Sequence, residues 1–214
     1  MTPVAVIFDM DGVIVDSEPY SMQALIDELR SHGIDPTAEE LRRSYGRKVQ
    51  DDFRELFARY GATSDIEAAV ISKRTRYFGL ATGNLKPLPG ALELIARVKA
   101  RGYRVGLASS GDREKVALSL RSLKLEGVFE IMVTGDDIKH SKPDPEIYRL
   151  AAARLGVDPR LCVAVEDAPS GVRAARGAGM RCIAVTSTVS REELAEADLV
   201  VASLADDLAS VLPL

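Results

Sequence analysis

The chain has few of the residues that mark secreted, zinc-binding or membrane proteins. Its 214 residues contain no tryptophan, two histidines and two cysteines. The two cysteines lack C-x-x-C spacing and each opens an apolar, β-branched run, which favours burial in strands over a zinc site or a disulfide. The apolar segment before Asp9 is too short for a signal peptide and far too short to span a bilayer. We therefore expect a cytoplasmic protein with no membrane partner.

The chain also lacks a strong excess of either charge. It has 28 Lys and Arg against 32 Asp and Glu, a formal net charge of −4. This balance gives no general attraction to nucleic acid, whereas a local basic pocket can still hold a small anion. The hydrophobic share of 46% suits a globular domain, and the length allows one core with a small insertion. We expect a small-molecule partner, no nucleic acid, and a monomer or small homo-oligomer.

What the chain does contain is an alternation of short apolar runs with helical patterns. The runs are rich in valine and isoleucine, as is typical of strands buried on both faces. They lie at Val4–Phe8, Val105–Ala108, Ile131–Val133, Val163–Val165, Ile183–Val185 and Leu199–Val201. Segments with helical periodicity, such as Ala91–Arg101 and Glu146–Leu155, separate most of them. Strands that alternate with helices indicate a parallel α/β sheet.

The stretch from Ser17 to about Asn84 departs from this alternation, because helical signals dominate it and no strand-like run appears. Its candidate helix boundaries are the capping boxes Thr37–Glu40 and Ser64–Glu67 and the helix ends Gly33, Gly61 and Gly79. We predict a core domain of residues 1–15 and 85–214, interrupted by a small helical domain of residues 16–84. The connecting segments Val13–Glu18 and Thr82–Pro89 are the candidate hinges.

Two carboxylates follow the first predicted strand. Asp9 and Asp11 stand two residues apart, so their side chains share a face while the chain stays extended. Open α/β sheets bind their ligands at this carboxyl edge of the strands. Gly12 then permits the sharp turn that such a loop needs. Alone, this segment is explained equally well as an Asp-Gly turn that leaves a strand.

Three further polar groups follow later strands. They are the candidate anion-binding residues Ser109, Ser110 and Gly111, the cation Lys142 before a proline, and the acids Glu166 and Asp167. Hydroxyl and backbone N–H groups between a strand and a helix can form an anion site. Each group alone also has a structural explanation: a helix cap, a solvated lysine, or acids that favour a helix N-terminus.

Taken together, the four groups predict a metal site beside a phosphate site, because a parallel sheet brings successive strand ends to one edge. The carboxylates involved are those of Asp9, Asp11, Glu166 and Asp167. They would repel one another unless a cation held them, and carboxylate oxygens are ligands that Mg²⁺ prefers. Lys142 and Ser109 supply the donors for a phosphate group at this site. The predicted partner is a small phosphorylated metabolite.

The order of these motifs resembles that of the haloacid dehalogenase-like superfamily over essentially the whole chain. The segments DMDGVIVDSEP from Asp9, KPDPE from Lys142 and EDAPSG from Glu166 are similar to its β-phosphoglucomutase and sugar-phosphatase branch. The resemblance implies an α/β fold with a Rossmann-like parallel-sheet core. It also implies that the inserted helical region is a mobile cap domain, which closes over the site and excludes bulk water.

The resemblance also implies a role for each motif residue. Asp9 would attack phosphorus to give an aspartyl-phosphate, while Asp11 would protonate the leaving oxygen and then activate water. Ser109 and Lys142 would hold the transferring phosphate. Mg²⁺ would be bound by Asp9, the backbone carbonyl of Asp11, and Asp167, with Glu166 nearby or on the metal.

Three functions stay open: a phosphatase, a sugar-phosphate mutase and a non-catalytic binding module. β-Phosphoglucomutases carry a histidine where this chain has Ser21 and an arginine where it has Val49, so we favour hydrolysis of a small sugar phosphate or similar phosphomonoester. The binding module is disfavoured because every expected catalytic residue is present. In the cap, the candidate substrate-binding loop is Gly46, Arg47 and Lys48, although two cations there suit a solvated helix start equally well.

Overall fold

A single parallel sheet organises the molecule. The computed structural model describes residues 2–45, 47–209 and 211–213. Within these residues, the strands are β1 (Ala5–Phe8), β2 (Arg104–Ala108), β3 (Ile131–Val133), β4 (Cys162–Glu166), β5 (Arg181–Val185) and β6 (Leu199–Val201). They pair in the order β3-β2-β1-β4-β5-β6, with every neighbouring pair parallel. The predicted α/β class with a Rossmann-like sheet is confirmed.

Eight α-helices accompany the sheet in the described part of the chain. They are α1 (Glu18–Ser31), α2 (Ala38–Arg43), α3 (Val49–Tyr60), α4 (Ile66–Ala81), α5 (Ala91–Ala100), α6 (Arg113–Leu123), α7 (Glu146–Leu155) and α8 (Pro169–Gly177). Within these residues, no helix has the length and apolar character needed to cross a membrane.

The strands are buried on both faces, which explains their continuous apolar runs. Alternate residues of β1 enter different hydrophobic clusters: Val6 and Phe8 pack with α5 and α6, while Ala5 and Ile7 pack with α7 and α8. Because successive side chains of a strand point to opposite faces, each face of the sheet needs its own helical layer. The sheet is therefore the middle layer of a three-layer sandwich.

The register of the sheet brings three strand ends together. Phe8, the last residue of β1, lies opposite Leu107 of β2 and Val165 of β4. The chain order also reverses at β1, since β2 and β3 lie on one side of it and β4, β5 and β6 on the other. A ligand site is expected outside the carboxyl ends at such a switch point.

Helices α1 to α4 follow one another between β1 and α5 and share a third hydrophobic cluster. Its buried members include Leu25, Leu29, Phe53, Leu56 and Phe57. The capping box at Thr37 is confirmed, because its hydroxyl accepts from the N–H of Glu40 and the Glu40 carboxylate accepts in return. Gly33 and Gly61 follow α1 and α3 with positive φ, as expected of helix ends.

Two helix boundaries were predicted wrongly. The N-cap of α4 is Asp65 and not Ser64, because the Asp65 carboxylate accepts from the first free N–H groups of the helix. The Ser64 hydroxyl instead contacts His32 Nδ1 at 2.8 Å. Gly79 does not end α4, which continues to Ala81. A helical glycine costs only about 1 kcal/mol, which packing of the neighbouring turns offsets.

The segments that lead into and out of these four helices pair with each other. Val15 forms an antiparallel bridge with Pro87. Asp16 N donates to the carbonyl of Lys86 at 2.9 Å, and Leu88 N donates to the carbonyl of Ile14 at 2.9 Å. The segment that leads into the four helices and the segment that leads out of them therefore form one short antiparallel ribbon.

Candidate active site

Asp9 follows β1 directly and is held by backbone and side-chain contacts. Its N–H donates to the carbonyl of Val165 at 2.9 Å, which extends the β1–β4 pairing by one residue. The carboxylate is buried, and its Oδ1 lies 2.9 Å from Lys142 Nζ. Burial raises the pKa of Asp9 to about 7; Lys142 opposes this shift, while Glu166 adds to it.

Lys142 is the buried cation of the site. Only 1% of the residue is exposed, and its Nζ lies 2.9 Å from Asp9 Oδ1 and 2.6 Å from Glu166 Oε1. The ammonium also lies 5.2 Å from the centroid of the Tyr148 ring. Burial lowers the pKa of Lys142, but the two carboxylates outweigh it and hold the pKa above its usual value. The lysine is therefore charged and joins Asp9 to Glu166.

Glu166 and Asp167 complete an acidic group at the end of β4. Glu166 Oε1 also accepts from the Tyr148 hydroxyl at 2.6 Å, and Oε2 accepts from the N–H of Asp167 at 3.1 Å. The Thr188 hydroxyl donates to Asp167. The pKa of Asp167 lies well above its usual value, because burial and then the charges of Glu166 and Asp9 disfavour the ionised form.

The arrangement of these acids suits a divalent cation. Among the described residues, Asp9, Glu166 and Asp167 bring one carboxylate oxygen each to within 4.8 Å of one another, all from buried residues. Lys142 pairs with two of these three carboxylates, those of Asp9 and Glu166, and one ammonium does not balance three acids. Oxygen ligands with excess negative charge are the donor set that hard cations such as Mg²⁺ and Ca²⁺ select. These residues fit a metal ion of that class.

The carboxylate of Asp11 points away from this acidic group. Its Oδ1 forms an ion pair with Lys115 Nζ at 2.8 Å and accepts from the Ser17 hydroxyl. Burial raises the pKa of Asp11, but Lys115 and Ser17 outweigh it, so the net shift is downward. The carboxylate thus has a different environment from that of Asp9, two residues earlier. The expected metal contact of Asp11, through its backbone carbonyl, stays a prediction.

The loop between β2 and α6 lies beside Asp9. Ser109 is fully buried, and its hydroxyl accepts from the N–H of Gly111 at 3.1 Å. Ser110 and Gly111 face the cavity described below. Asp112 caps α6 by accepting from the N–H of Lys115 at 2.8 Å.

A cavity of about 100 Å³ separates this edge of the sheet from α1, α3 and α4. Its wall includes Asp9, Asp11, Ser110, Gly111 and Asp167 from the sheet side, and Glu18, Ser21, Asp52, Lys73 and Tyr77 from the helices. Arg47 and Lys48 also line it, but Arg47 pairs with Glu55 at 2.9 Å and Lys48 donates to the carbonyl of Ile138 at 2.8 Å. Gly46 lies outside the described residues.

Several residues of the site carry no motif that the sequence could reveal. Lys115 lies one turn into α6, where it pairs with Asp11 and stacks 5.1 Å from the centroid of Tyr77. Lys73 donates to the Ser21 hydroxyl at 2.9 Å, and burial lowers the pKa of Lys73 to about 8. These residues come from helices, whose facing direction depends on packing. For Lys115, its position just after the Ser109–Gly111 loop was the one feature of the sequence that could have indicated a place in the site.

Comparisons with known proteins agree with this geometry. The family model described as haloacid dehalogenase-like hydrolase matches residues 6–185. A phosphorylated carbohydrates phosphatase from Thermotoga maritima is 37% identical over 84% of this chain and 83% of its own length. Hexitol phosphatase B from Escherichia coli is 33% identical over 88% of this chain and 86% of its own length. The chain also matches, at 36% identity, 19% of the length of the Arabidopsis thaliana protein SUPPRESSOR OF QUENCHING 1, chloroplastic.

Solved structures extend the similarity to the three-dimensional fold. A β-phosphoglucomutase from Clostridium difficile superposes with a TM-score of 0.86 and 27% identity, over 95% of this chain and 92% of that protein. CbbY from Rhodobacter sphaeroides, in complex with xylulose-(1,5)bisphosphate, gives a TM-score of 0.87 and 30% identity, over 99% of this chain and 100% of that protein. With its parallel sheet and its buried acidic group, the chain belongs to the haloacid dehalogenase-like hydrolase family, in the branch that includes these sugar and hexitol phosphatases.

Proposed function

We propose that this hydrolase releases phosphate from a small sugar or polyol phosphate in a Mg²⁺-dependent reaction that passes through an aspartyl-phosphate on Asp9. The observation that carries the proposal is the contact of Asp9 with Lys142 inside the buried acidic group. The names of the phosphatases from Thermotoga maritima and Escherichia coli support the substrate class. A cytoplasmic location and a monomeric or small homo-oligomeric state stay predictions from the sequence.

Asp9 is proposed as the nucleophile. Lys142 Nζ holds Oδ1 of Asp9 at 2.9 Å, which fixes the carboxylate at the end of β1 and leaves its other oxygen for attack on phosphorus. The attack forms a bond from phosphorus to this carboxylate and breaks the ester bond to the leaving oxygen. Lys142 and Ser109 are proposed to hold the phosphoryl oxygens, with Ser110 and Gly111 beside them.

Asp11 is proposed as the acid and base. It would give a proton to the leaving oxygen and then take one from the water that attacks the aspartyl-phosphate. Its present partner Lys115 favours the ionised carboxylate, as the lowered pKa of Asp11 indicates. Asp11 therefore has to separate from Lys115 and Ser17 before it can carry a proton to the substrate. A change at this ion pair would be part of each catalytic cycle.

The proposed metal ligands are Asp9, Asp167 and the backbone carbonyl of Asp11, with Glu166 beside them. When bound, Mg²⁺ neutralises charge on the phosphoryl oxygens and orients the phosphate for in-line attack. Glu166 is already occupied by Lys142 and Tyr148, so its main role is to hold Lys142 in place. Asp167 is kept in position by Thr188.

We further propose that residues 1–15 and 85–214 form the core domain and residues 16–84 form the cap. The shared hydrophobic cluster of α1, α3 and α4 and the paired connecting segments support this division. The substrate would then lie in the cavity between the two domains. Its phosphate would face the sheet, and its remaining atoms would face the cap residues of the cavity wall, among them Arg47 and Lys48.

Replacement of the nucleophile tests the proposal. In Asp9→Asn, we expect release of inorganic phosphate from a panel of sugar and polyol phosphates to fall by at least about 1,000-fold, because the amide is a poor nucleophile. Asp35→Asn, at an exposed aspartate of the cap, is the matched control and should keep full activity. Phosphate release by Asp9→Asn at the rate of the wild type would refute the covalent mechanism.

A sugar-phosphate mutase is the second candidate, because the C. difficile β-phosphoglucomutase has a closely similar fold. The two functions differ in the fate of the phosphoryl group. A phosphatase passes it to water, whereas a mutase returns it to another hydroxyl of the sugar. Incubation with glucose 1-phosphate distinguishes them: formation of glucose 6-phosphate without stoichiometric inorganic phosphate would identify a mutase.

A further inference from the structure

Asp52 is a buried acid on the cap side of the cavity that the proposed mechanism does not use. It belongs to α3, is 4% exposed, and lines the cavity wall opposite the sheet. Within the described residues, no hydrogen bond reaches its Oδ1; the nearest cation, Arg47 Nη1, stands 3.5 Å away. Buried carboxylate oxygens normally have hydrogen-bond donors. The site therefore offers an acceptor to whatever fills the cavity.

The environment of Asp52 explains why a donor from outside is favourable. Burial raises the pKa of Asp52 to about 7, against the opposing charges of Arg47 and Lys73 and a hydrogen bond of the carboxylate with Ser44. An unsatisfied buried acceptor costs free energy that a hydrogen bond from a ligand recovers. A substrate hydroxyl could supply this bond, because it donates a hydrogen and carries no charge.

The cations of the cavity wall are already engaged, whereas Oδ1 of Asp52 has only the ion pair with Arg47 at 3.5 Å and no hydrogen bond. Their contacts are Arg47 with Glu55 at 2.9 Å, Lys48 with the carbonyl of Ile138 at 2.8 Å, Lys73 with the Ser21 hydroxyl at 2.9 Å, Arg74 with Glu114 at 3.2 Å, and Lys115 with Asp11 at 2.8 Å. A second phosphate at the cap end would have to displace one of these partners. It would also meet the negative charge of Asp52, and like charges repel strongly where water is excluded.

We propose that Asp52 accepts a hydroxyl hydrogen from the part of the substrate remote from the transferred phosphate, and so selects polyhydroxylated monophosphates over bisphosphates. The inference rests on the proposed phosphatase function and specifies its substrate class. It separates this chain from the CbbY of R. sphaeroides, whose structure holds a bisphosphate. It also disfavours a mutase, which has to accommodate a sugar bisphosphate in the same cavity.

The test compares Asp52→Asn with Glu55→Gln on three phosphate esters. Asparagine keeps the size of Asp52 and removes its charge. Glu55 lies on the same helix and contacts the same Arg47 guanidinium, but it is outside the cavity wall, so it is the matched control. The esters are glucitol 6-phosphate, fructose 1,6-bisphosphate and p-nitrophenyl phosphate. Glucitol 6-phosphate carries several hydroxyls, the bisphosphate carries hydroxyls and a second phosphate, and p-nitrophenyl phosphate carries neither.

For Asp52→Asn we expect kcat/KM with glucitol 6-phosphate to fall about tenfold, because the uncharged amide oxygen accepts a weaker hydrogen bond than the carboxylate. The value for p-nitrophenyl phosphate should stay within about twofold, since this ester does not reach Asp52 with a donor. The preference for glucitol 6-phosphate over the bisphosphate should shrink at least about tenfold. Glu55→Gln should resemble the wild type with all three esters.

Three results would overturn the inference: an equal loss with all three esters, no loss with glucitol 6-phosphate, or the same shift in Glu55→Gln. Calorimetric binding of glucitol 6-phosphate to Asp9→Asn, with and without Asp52→Asn, gives a readout that does not need turnover. If the wild type releases no phosphate, the proposed function fails. The inference on Asp52 is then decided separately by whether Asp52→Asn raises the dissociation constant about tenfold or leaves it unchanged.

Discussion

Two glycines allow the acidic group to assemble. Gly12 has a φ of +71°, and a Cβ there would collide with the carboxylate of Asp167. Gly171 lies in the first turn of α8, and a Cβ there would overlap the carboxylate of Glu166. Both positions lack a side chain because another residue's carboxylate occupies the space. At these positions, a methyl group would displace an acid of the proposed metal site.

Gly171→Ala should therefore damage both folding and activity. Displacement of Glu166 disturbs Lys142 and Tyr148, and we expect the free energy of unfolding to fall by about 1–3 kcal/mol, with a larger loss of phosphate release. Gly177→Ala on the same helix is the control, because a Cβ there meets Pro145 at 3.5 Å, an ordinary contact. Urea denaturation and phosphate assays measure both. Equal effects of the two substitutions would contradict this explanation.

The motif residues of the site could be predicted because each follows a strand. Asp9, Ser109 and Glu166 come directly after or at the end of β1, β2 and β4, and the parallel register alone brings these ends to one edge. Lys73 and Asp52 could not be predicted in the same way. They lie on helices, where the residue that faces a cavity depends on how the helix is rotated against its neighbours.

At the scale of elements, the strands matched the sequence closely because they are buried on both faces. The run Ile131–Val133 coincides with β3 and Leu199–Val201 with β6, while β4 is one residue longer at each end than Val163–Val165. Helix boundaries were less certain, since several residues compete for each cap. At α4 the adjacent Ser64 and Asp65 both carry acceptors; the Asp65 carboxylate accepts from the helix N–H groups, while the Ser64 hydroxyl contacts His32.

The capping box of α2 gives the cap region a dependence on pH. The Glu40 carboxylate accepts from the N–H of Thr37 at 2.8 Å, and from Arg59 and Tyr60 at 2.9 Å. Hydrogen bonds lower the pKa of Glu40 from 4.5 to about 2, although burial opposes the shift. The bond from the N–H of Thr37 has the largest effect, and those from Tyr60 and Arg59 add to it. A lowered folded-state pKa stabilises the fold above about pH 4.5, and this contribution disappears as the pH falls towards 2.

Thr37→Ala should weaken this network. Loss of the cap is expected to lower the free energy of unfolding by about 1 kcal/mol at pH 7 and to move acid unfolding to a higher pH. The control is Thr75→Ala in the exposed part of α4, where alanine is a good helix former and the change should stay within about 0.5 kcal/mol. Urea titrations at pH 7 and pH 4 measure the difference. If acid unfolding is unchanged in Thr37→Ala, the network has no role in it.

At the scale of the whole molecule, Lys142 contributes to the stability of the fold when no metal ion is bound. Its ammonium neutralises part of the acidic group from inside the core, so the chain can fold before a divalent cation binds. This differs from small zinc domains, which are unfolded without their metal. The metal in the proposed reaction is then needed for catalysis and adds only ordinary binding energy to the fold.

Removal of divalent cations should therefore abolish phosphate release while the protein stays folded. Mg²⁺ at about 100 times its dissociation constant should stabilise the wild type by about 2.7 kcal/mol, seen as a rise in Tm of about 5–11 °C. Asp167→Asn should lose this rise. Asp144→Asn, in the exposed group of His140, Asp144 and Glu146, should keep it. Unfolding on chelation, or a rise in Tm abolished equally in both variants, would contradict the assignment.

The ribbon formed by residues 14–16 and 86–88 bears on the timing of proton transfer. Two backbone hydrogen bonds join its segments, so a movement of the proposed cap against the sheet would pivot at this ribbon. Ser17 follows the ribbon directly, and its hydroxyl contacts Asp11. Such a movement would shift Ser17, one of the two partners of Asp11, as it opens or closes the cavity, while Lys115 stays with the sheet. In the proposed reaction, access of water and release of Asp11 from Ser17 would then coincide, which would delay attack of water on the aspartyl-phosphate until the product alcohol has left.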